Sequence, residues 1–309
     1  MPVGKLAEET TTDGRYAHKK LKPICRAADR FALLWGKEYF GAKRRFGGRS
    51  TDALPTSGAS ALRRTSEKIF NRILLALPRA IRDELLRQCE DVELASGQLI
   101  YAAAATVEYA YFVNSGVVSL VKAMEDGRSV EVAAVGTEGL LGLFAAYRFE
   151  RALVDHIVQV PGTALRIRRK TLENAILKHD AVRRVMTRYL LLVAEQLAQV
   201  SACNRLHMLE QRCCLWLLVA HDNAFSDQFQ LTHEFLASLL GSQRSSVSTT
   251  ANALQKRGLI RYSHGRISIL DRAALEQGAC ECYRTRRSQI DQMFGAGKRP
   301  AERGSRTAM

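Results

Sequence analysis

Hydrophobic positions change period along the chain, and each change marks an element. In "SEKIFNRILLALPRAIRDELLRQC", Ile69, Ile73, Leu74, Leu77, Ile81, Leu85 and Leu86 follow helical spacing, interrupted at Pro78. Proline removes a helical hydrogen bond and clashes with the preceding turn, so two short helices are predicted. Between 91 and 169 the apolar segments are short and rich in Val, Ile and Tyr. They are separated by Ser96-Gly97, Asn114-Ser115-Gly116, Glu125-Asp126-Gly127 and Pro161-Gly162. Regular short strands with tight turns predict a small antiparallel, jelly-roll-like β-roll. Helical period returns at 171–178 and over "DAVRRVMTRYLLLVAEQLAQVSACNRL", with a stripe at Val182, Met186, Tyr189, Leu190, Val193, Leu197 and Val200. Leu191 and Leu192 fall outside that line, so the apolar surface is wide. One side is predicted to cover the roll and another to pair with a second copy, because so long a helix outreaches so small a sheet.

"LEQRCCLWLLVAHD" is a further amphipathic helix, and "FQLTHEFLASLLGSQRSSVSTTANALQKRGLIRYSHGRISIL" reads as helix, short turn, helix, hairpin. Thr232 is placed to cap the first helix of that pair, with Leu236, Leu239 and Leu240 inward. Gly241 supplies the left-handed C-terminal position, and Ser242 is predicted to cap the second helix. Asp271 opens the last helix.

The second helix has an unusual polar face. At roughly 100° per residue, Val247, Ala251 and Leu254 share one direction, while Arg244, Ser245, Ser248, Thr249 and Asn252 lie opposite. A merely solvated face carries Lys and Glu, which form helix better by roughly a few tenths of a kcal/mol per residue. Small donors and acceptors beside one bidentate cation instead suit a DNA major groove. Residues 235–270 hold Arg244, Lys256, Arg257, Arg261 and Arg266 and no Asp or Glu, which avoids repelling phosphate. His264 and Arg266 fall at the hairpin tip, where a wing meets the backbone.

The formal charge of +15 adds less than its size suggests. Residues 1–68 hold 15 Lys and Arg against 7 Asp and Glu, residues 284–309 hold 7 against 2, and the middle is nearly balanced. The excess in the tails supports loose attraction to polyanions, not a shaped site. No run reaches the roughly 18 apolar residues that cross a membrane, and the N-terminus lacks a secretory signal, so a cytoplasmic location is expected. The seven cysteines contain no C-x-x-C pair. Cys280-x-Cys282 lacks a matching second pair in sequence, and His156 stands alone in a strand, so no metal and no cofactor is expected. Ser–His–Asp, phosphate-loop and H-E-x-x-H motifs are lacking, which argues against an enzyme.

Segment 229–270, with its G-x-x-R-x-x-V and L-x-x-x-G-L-I patterns, resembles the winged helix–turn–helix of the Crp–Fnr transcription regulators. The roll, long helix and linker helix come in that family's order, over roughly 69–283. The resemblance implies an α+β fold: an antiparallel β-roll sensor domain, a long dimerisation helix and a C-terminal winged helix–turn–helix. The expected division is a basic disordered extension (1–65), the roll (66–178), the dimerisation helix (179–205), the DNA-binding domain (206–285) and a basic disordered tail (286–309). It implies double-stranded DNA as partner, read by a homodimer through Thr232, Ser242, Gln243, Arg244, Ser245, Ser246, Ser248, Thr249, Asn252, His264 and Arg266. Arg244 aligns with a guanine-reading arginine and Ser246 with a phosphate-binding hydroxyl. Ser245 and Thr249 stand where a glutamate and a second arginine contact bases in relatives, so a different half-site is implied.

The ligand end departs from the family pattern. Its cyclic-nucleotide cassette places a glutamate on the ribose and an arginine on the cyclic phosphate. Here Leu140 replaces the glutamate, the later segment aligns as Ala152-Leu153-Val154, and Arg151 falls one residue early. Leu197 and Ala198 fall where hydroxyls would meet the base. A buried phosphate left unpaired is costly, so cyclic AMP is not expected to bind. The effector pocket is expected around Gly139, Leu140, Leu141, Leu153 and Leu197. The iron–sulfur members use N-terminal cysteines, and only Cys25 precedes this roll. The resemblance leaves room for RNA polymerase and an unidentified small-molecule effector as partners. The alternative is a sensing module that acts through a protein partner and carries a vestigial helix–turn–helix.

Overall fold

The structure, a computed structural model, describes residues 69–295; the expected N-terminal extension and the end of the tail lie outside them. Two short helices, α1 (Arg72–Leu75) and α2 (Arg79–Leu86), flank Pro78 as predicted. Asn71 caps α1 by accepting from Leu74 N, while its Nδ2 donates to Val113 O and Gly139 O. One buried amide thus ties the helix to the roll.

The roll comprises β1 (Cys89–Leu94), β2 (Leu99–Tyr101), β3 (Tyr109–Ala123), β4 (Ser129–Val135), β5 (Leu140–Leu141) and β6 (Asp155–Arg168), with a one-turn helix α3 (Leu143–Ala146) after β5. Strand order is β1-β6-β3-β4, with β2 on β6 and β5 on β3, antiparallel throughout. Two expected turns are not turns. Asn114-Ser115-Gly116 lies within β3 and Pro161-Gly162 within β6. There the register shifts three times between Val113 and Val118, bending both long strands together. Gly116 takes φ +85°, and a Cβ on it would sit 2.5 Å from Val160 O. The glycine marks a bulge with close backbone approach, which sequence alone does not separate from a hairpin.

Helix α4 (Arg169–Lys178) leads into α5 (Asp180–Leu206). Val182, Val185, Met186, Tyr189 and Leu192 of α5 pack with Phe112, Leu165, Ile167 and Leu172. The predicted stripe is partly corrected here. Leu192 is fully buried, whereas Leu191 and Leu197 are 55% and 38% exposed. A second core inside the roll joins Leu94, Val113, Val118, Leu141 and Val158.

The C-terminal region holds α6 (Leu209–Ala224), β7 (Gln228–Gln230), α7 (His233–Leu239), α8 (Arg244–Lys256), β8 (Ile260–Ser263), β9 (Arg266–Ile269), α9 (Arg272–Gly278) and α10 (Cys282–Phe294). The wing is a three-stranded sheet, β7-β9-β8, with β7 an addition to the expected hairpin. Helix α10 continues to Phe294 with Ile290 buried, so the expected disordered tail from 286 is ordered through this helix. Trp216 Nε1 donates to Glu131 Oε2 (3.4 Å), Thr137 N to Asn223 Oδ1 (2.8 Å) and Arg286 Nη2 to Glu138 Oε1 (2.6 Å). These bonds seat the region on the roll of its own chain. Among the described residues no helix is long and apolar enough to cross a membrane.

Candidate nucleic-acid interface

Thr232 caps α7 by accepting from Phe235 N at 3.2 Å. Gly241 follows with φ +57°, and Ser242 N donates back to Ala237 O, closing the turn. The cap of α8 is a correction. Gln243 holds the N-cap position without a side-chain bond, and Ser242 Oγ turns back toward Leu240 O (3.4 Å) and Arg212 Nη2 (3.5 Å). Arg212 occupies the hydroxyl that was expected to cap.

Val247, Ala251 and Leu254 are buried, which fixes the roll of α8 about its axis. Gln243, Arg244, Ser245, Ser246, Thr249 and Asn252 are exposed. Arg244 pairs with Glu234 at 3.4 Å, both side chains about 70% exposed, an ion pair worth little and easily exchanged for phosphate or guanine. Thr249 Oγ1 donates to Ser245 O (3.1 Å), which leaves its lone pairs outward. Ser248 is only partly exposed and lies 3.0 Å from His233 Nδ1. Thr232, Ser242 and Ser248 are thus held by intramolecular bonds, while the other expected residues of α8 face solvent.

His233 also stacks on Tyr262, with ring centroids 4.0 Å apart and 19° between planes. It joins α7, α8 and β8, and so ties the wing to α8. Burial, aided by the Arg244 charge, pushes its pKa down and favours the neutral ring. His264, at φ +49°, forms the hairpin tip and lies 2.8 Å from Ser263 Oγ; Arg266 beside it is exposed.

Away from this interface, a cavity of about 50 Å³ opens in the roll, lined among others by Tyr101, Leu140, Leu153, His156, Tyr189 and Gln196. That is space for roughly three to five water molecules. Leu140 and Leu153 of the expected pocket line it. Gly139 and Leu141 do not, and Leu197 lies on the exposed side of α5. Arg151 stands at the rim, its Nη1 donating to Ala104 O (3.0 Å). Burial holds His156 down at about 4, hence neutral near pH 7, and raises Tyr189, which donates to Leu140 O at 3.2 Å.

One cluster escaped the sequence reading. Cys280 and Cys282 do meet a second pair: Cys203 and His207, one turn apart at the end of α5. Cysteine spacing is a local signal, and these pairs lie more than seventy residues apart. Donation from Cys203 and from Cys282, with the nearby imidazole, holds the Cys280 thiol below its usual range.

Residues 91–179 match the cyclic nucleotide-binding domain and residues 211–277 the Crp-like helix-turn-helix domain. The transcriptional regulator LdrP of Thermus thermophilus is 29% identical over 202 residues, 60% of this chain and 94% of the relative. Two solved structures share the fold. FixK2 from Bradyrhizobium japonicum is 18% identical with a TM-score of 0.53, over 62% of this chain and 98% of that one. TTHB099, a regulator from Thermus thermophilus, is 23% identical with a TM-score of 0.52, over 61% and 96%. With roll, long helix and winged reader in this order and both domain patterns matched, the chain belongs to the Crp–Fnr family of DNA-binding transcription regulators.

Proposed function

We propose that this regulator works as a homodimer in the cytoplasm, reading a two-fold operator with one α8 from each subunit and answering to RNA polymerase. Two such helices must lie about 34 Å apart to meet successive major grooves. Gln243, Arg244, Ser245, Ser246, Thr249 and Asn252 contact bases and phosphates, and His264 and Arg266 hold the flanking backbone. Thr232 fixes the start of α7, and Ser242 and Ser248 hold the turn and the reading helix against their neighbours. The observation that carries this reading is the exposure of Arg244 and its hydroxyl neighbours on a helix whose apolar side is fully buried.

The roll cavity favours an effector other than cyclic AMP. Its lining is mostly apolar, Leu140 stands where a ribose-binding carboxylate is needed, and Arg151 stands at the rim with one of its guanidinium donors on Ala104 O. A cyclic phosphate inside the cavity meets no cationic side chain short of Arg151 at the rim.

Selection of duplexes from a random pool, followed by gel shift on the recovered site, tests both statements. Arg244→Ala should weaken the selected site by about 5- to 150-fold, the range of one bidentate base contact, with non-specific binding reduced far less. Added cyclic AMP should leave the affinity unchanged. Unaltered site preference in Arg244→Ala overturns the reading.

A further inference from the structure

We propose that Cys203, His207, Cys280 and Cys282 form a structural zinc(II) site that clamps the end of the dimerisation helix to the joint between the winged domain and α10. Their ligating atoms all lie within 4.8 Å of one another. Cys203 Sγ and Cys280 Sγ are 3.7 Å apart, and Cys282 Sγ and His207 Nδ1 are 3.5 Å apart. A tetrahedral zinc with Zn–S of about 2.3 Å and Zn–N of about 2.0–2.1 Å has S···S edges of about 3.8 Å and S···N edges of about 3.6 Å. Two of the six edges already stand at those separations, and the other four lie within 4.8 Å.

The chain delivers the ligands in two chelating pairs. Cys203 lies in the last turn of α5, and His207, four residues on, is its C-cap, with His207 N donating to Cys203 O at 3.1 Å. Cys280 and Cys282 sit on the elbow between α9 and α10, which turns both thiols to the same side. All three cysteines are buried, which shields the bonds from water.

The surrounding groups are those a zinc site requires. Glu281 Oε2 lies 3.1 Å from His207 Nε2, fixing the tautomer that presents a bare Nδ1 to the thiols. Gln199 Nε2 donates to Cys282 Sγ at 2.9 Å, a bond that favours the thiolate. Three thiolates and a neutral imidazole are a soft donor set that suits zinc. Each ligating thiol still protonated releases its proton to solvent on binding. Ligands this close surround one ion and leave no space between them for a multi-iron cluster. The other described cysteines behave as ordinary buried thiols. Cys213 and Cys214 lie along α6 with pKa values pushed up by burial, and Cys89 donates to Leu85 O.

The position gives the ion a mechanical task. Helix α5 ends at Leu206 and α6 begins at Leu209, so His207 lies in the joint between long helix and DNA-binding region. A metal bound there sets the angle at which the reading helix leaves the dimer axis.

The test uses the full chain purified with its thiols reduced, and reads the metal itself without DNA. Elemental analysis should find about one zinc per chain, and exchange for cobalt(II) should give the thiolate charge-transfer and strong visible bands of a tetrahedral site. Cys280→Ser and His207→Ala should lose the bound metal, while Cys89→Ser should keep it. Titrating the unaltered chain with a mercurial thiol reagent should release zinc to a chromogenic chelator, a readout that needs no folded variant. A chain that binds neither zinc nor cobalt with reduced thiols overturns the proposal. So does metal retained in full by Cys280→Ser, or a Cys203–Cys280 disulfide as the native state.

Discussion

Glu131 shows how far one side chain can bind two domains to pH. It lies on β4, accepts from Ser119 Oγ of β3 and Trp216 Nε1 of α6, and faces the Arg286 charge on α10. Burial raises its pKa to about 7 despite those partners. Between pH 4.5 and 7 the native state therefore holds a proton that the unfolded chain has lost. Stability falls as pH rises through that window and levels above it, by an amount on the order of 2–3 kcal/mol at most. Glu131→Gln keeps the shape and removes the titration. Thermal unfolding of both proteins at about pH 5.5 and about pH 8 should show wild type losing more of its midpoint than the variant. Equal losses in the two proteins would remove Glu131 as the cause.

Helix α5 carries a second seam at the scale of the element. Leu191, Ala194, Leu197, Ala198, Ser201 and Ala202 are exposed, spaced at threes and fours, and small or apolar. Such a seam lets two helices approach closely. Leu191→Glu should raise the dimer dissociation constant at least about 100-fold, because two leucines per dimer lose about 1.5–3 kcal/mol each and leave carboxylates in the seam. Sedimentation velocity at micromolar concentration reads this directly; unchanged sedimentation, or a monomeric wild type, sinks it. The existence of α5 was legible because its periodicity persists through the whole helix. Its burial was less so, since Leu191 and Leu192 are chemically alike and only the roll's position decides which is covered. The same limit applied to β3 and β6, where Gly116 and Gly162 signalled a turn but served a bulge. Arg244, by contrast, was readable in advance. Val247, Ala251 and Leu254 set the helix phase, and the phase sets what faces out.

What sequence cannot show at the scale of the molecule is convergence, and the segment Gly136–Leu140 is its clearest case. Arg72 N donates to Thr137 O (2.7 Å), and Asn71 Nδ2 to Gly139 O (2.8 Å). Tyr189 of α5 binds Leu140 O, Asn223 of α6 binds Thr137, and Arg286 of α10 binds Glu138. Several distant stretches of chain thus meet on one short loop that also borders the roll cavity. The Arg286–Glu138 pair matters most, since the side chains are only 13% and 6% exposed. Arg286 Nη2 also donates to Ala134 O at 2.9 Å, and Glu138 accepts from Gly136 N at 3.0 Å. Removing one partner of a buried pair strands the other charge, at about 3–5 kcal/mol, whereas replacing both with apolar groups costs far less. Arg286→Met should therefore lower the urea midpoint sharply, and Arg286→Met with Glu138→Leu should restore much of it. Hydrogen exchange should show residues 136–140 opening first in the single variant, because the loop loses its tie to α10 while its bonds to α1 and α5 remain. If the double variant is as unstable as the single, stranded charge is not the cause, and the pair holds the domains by shape alone.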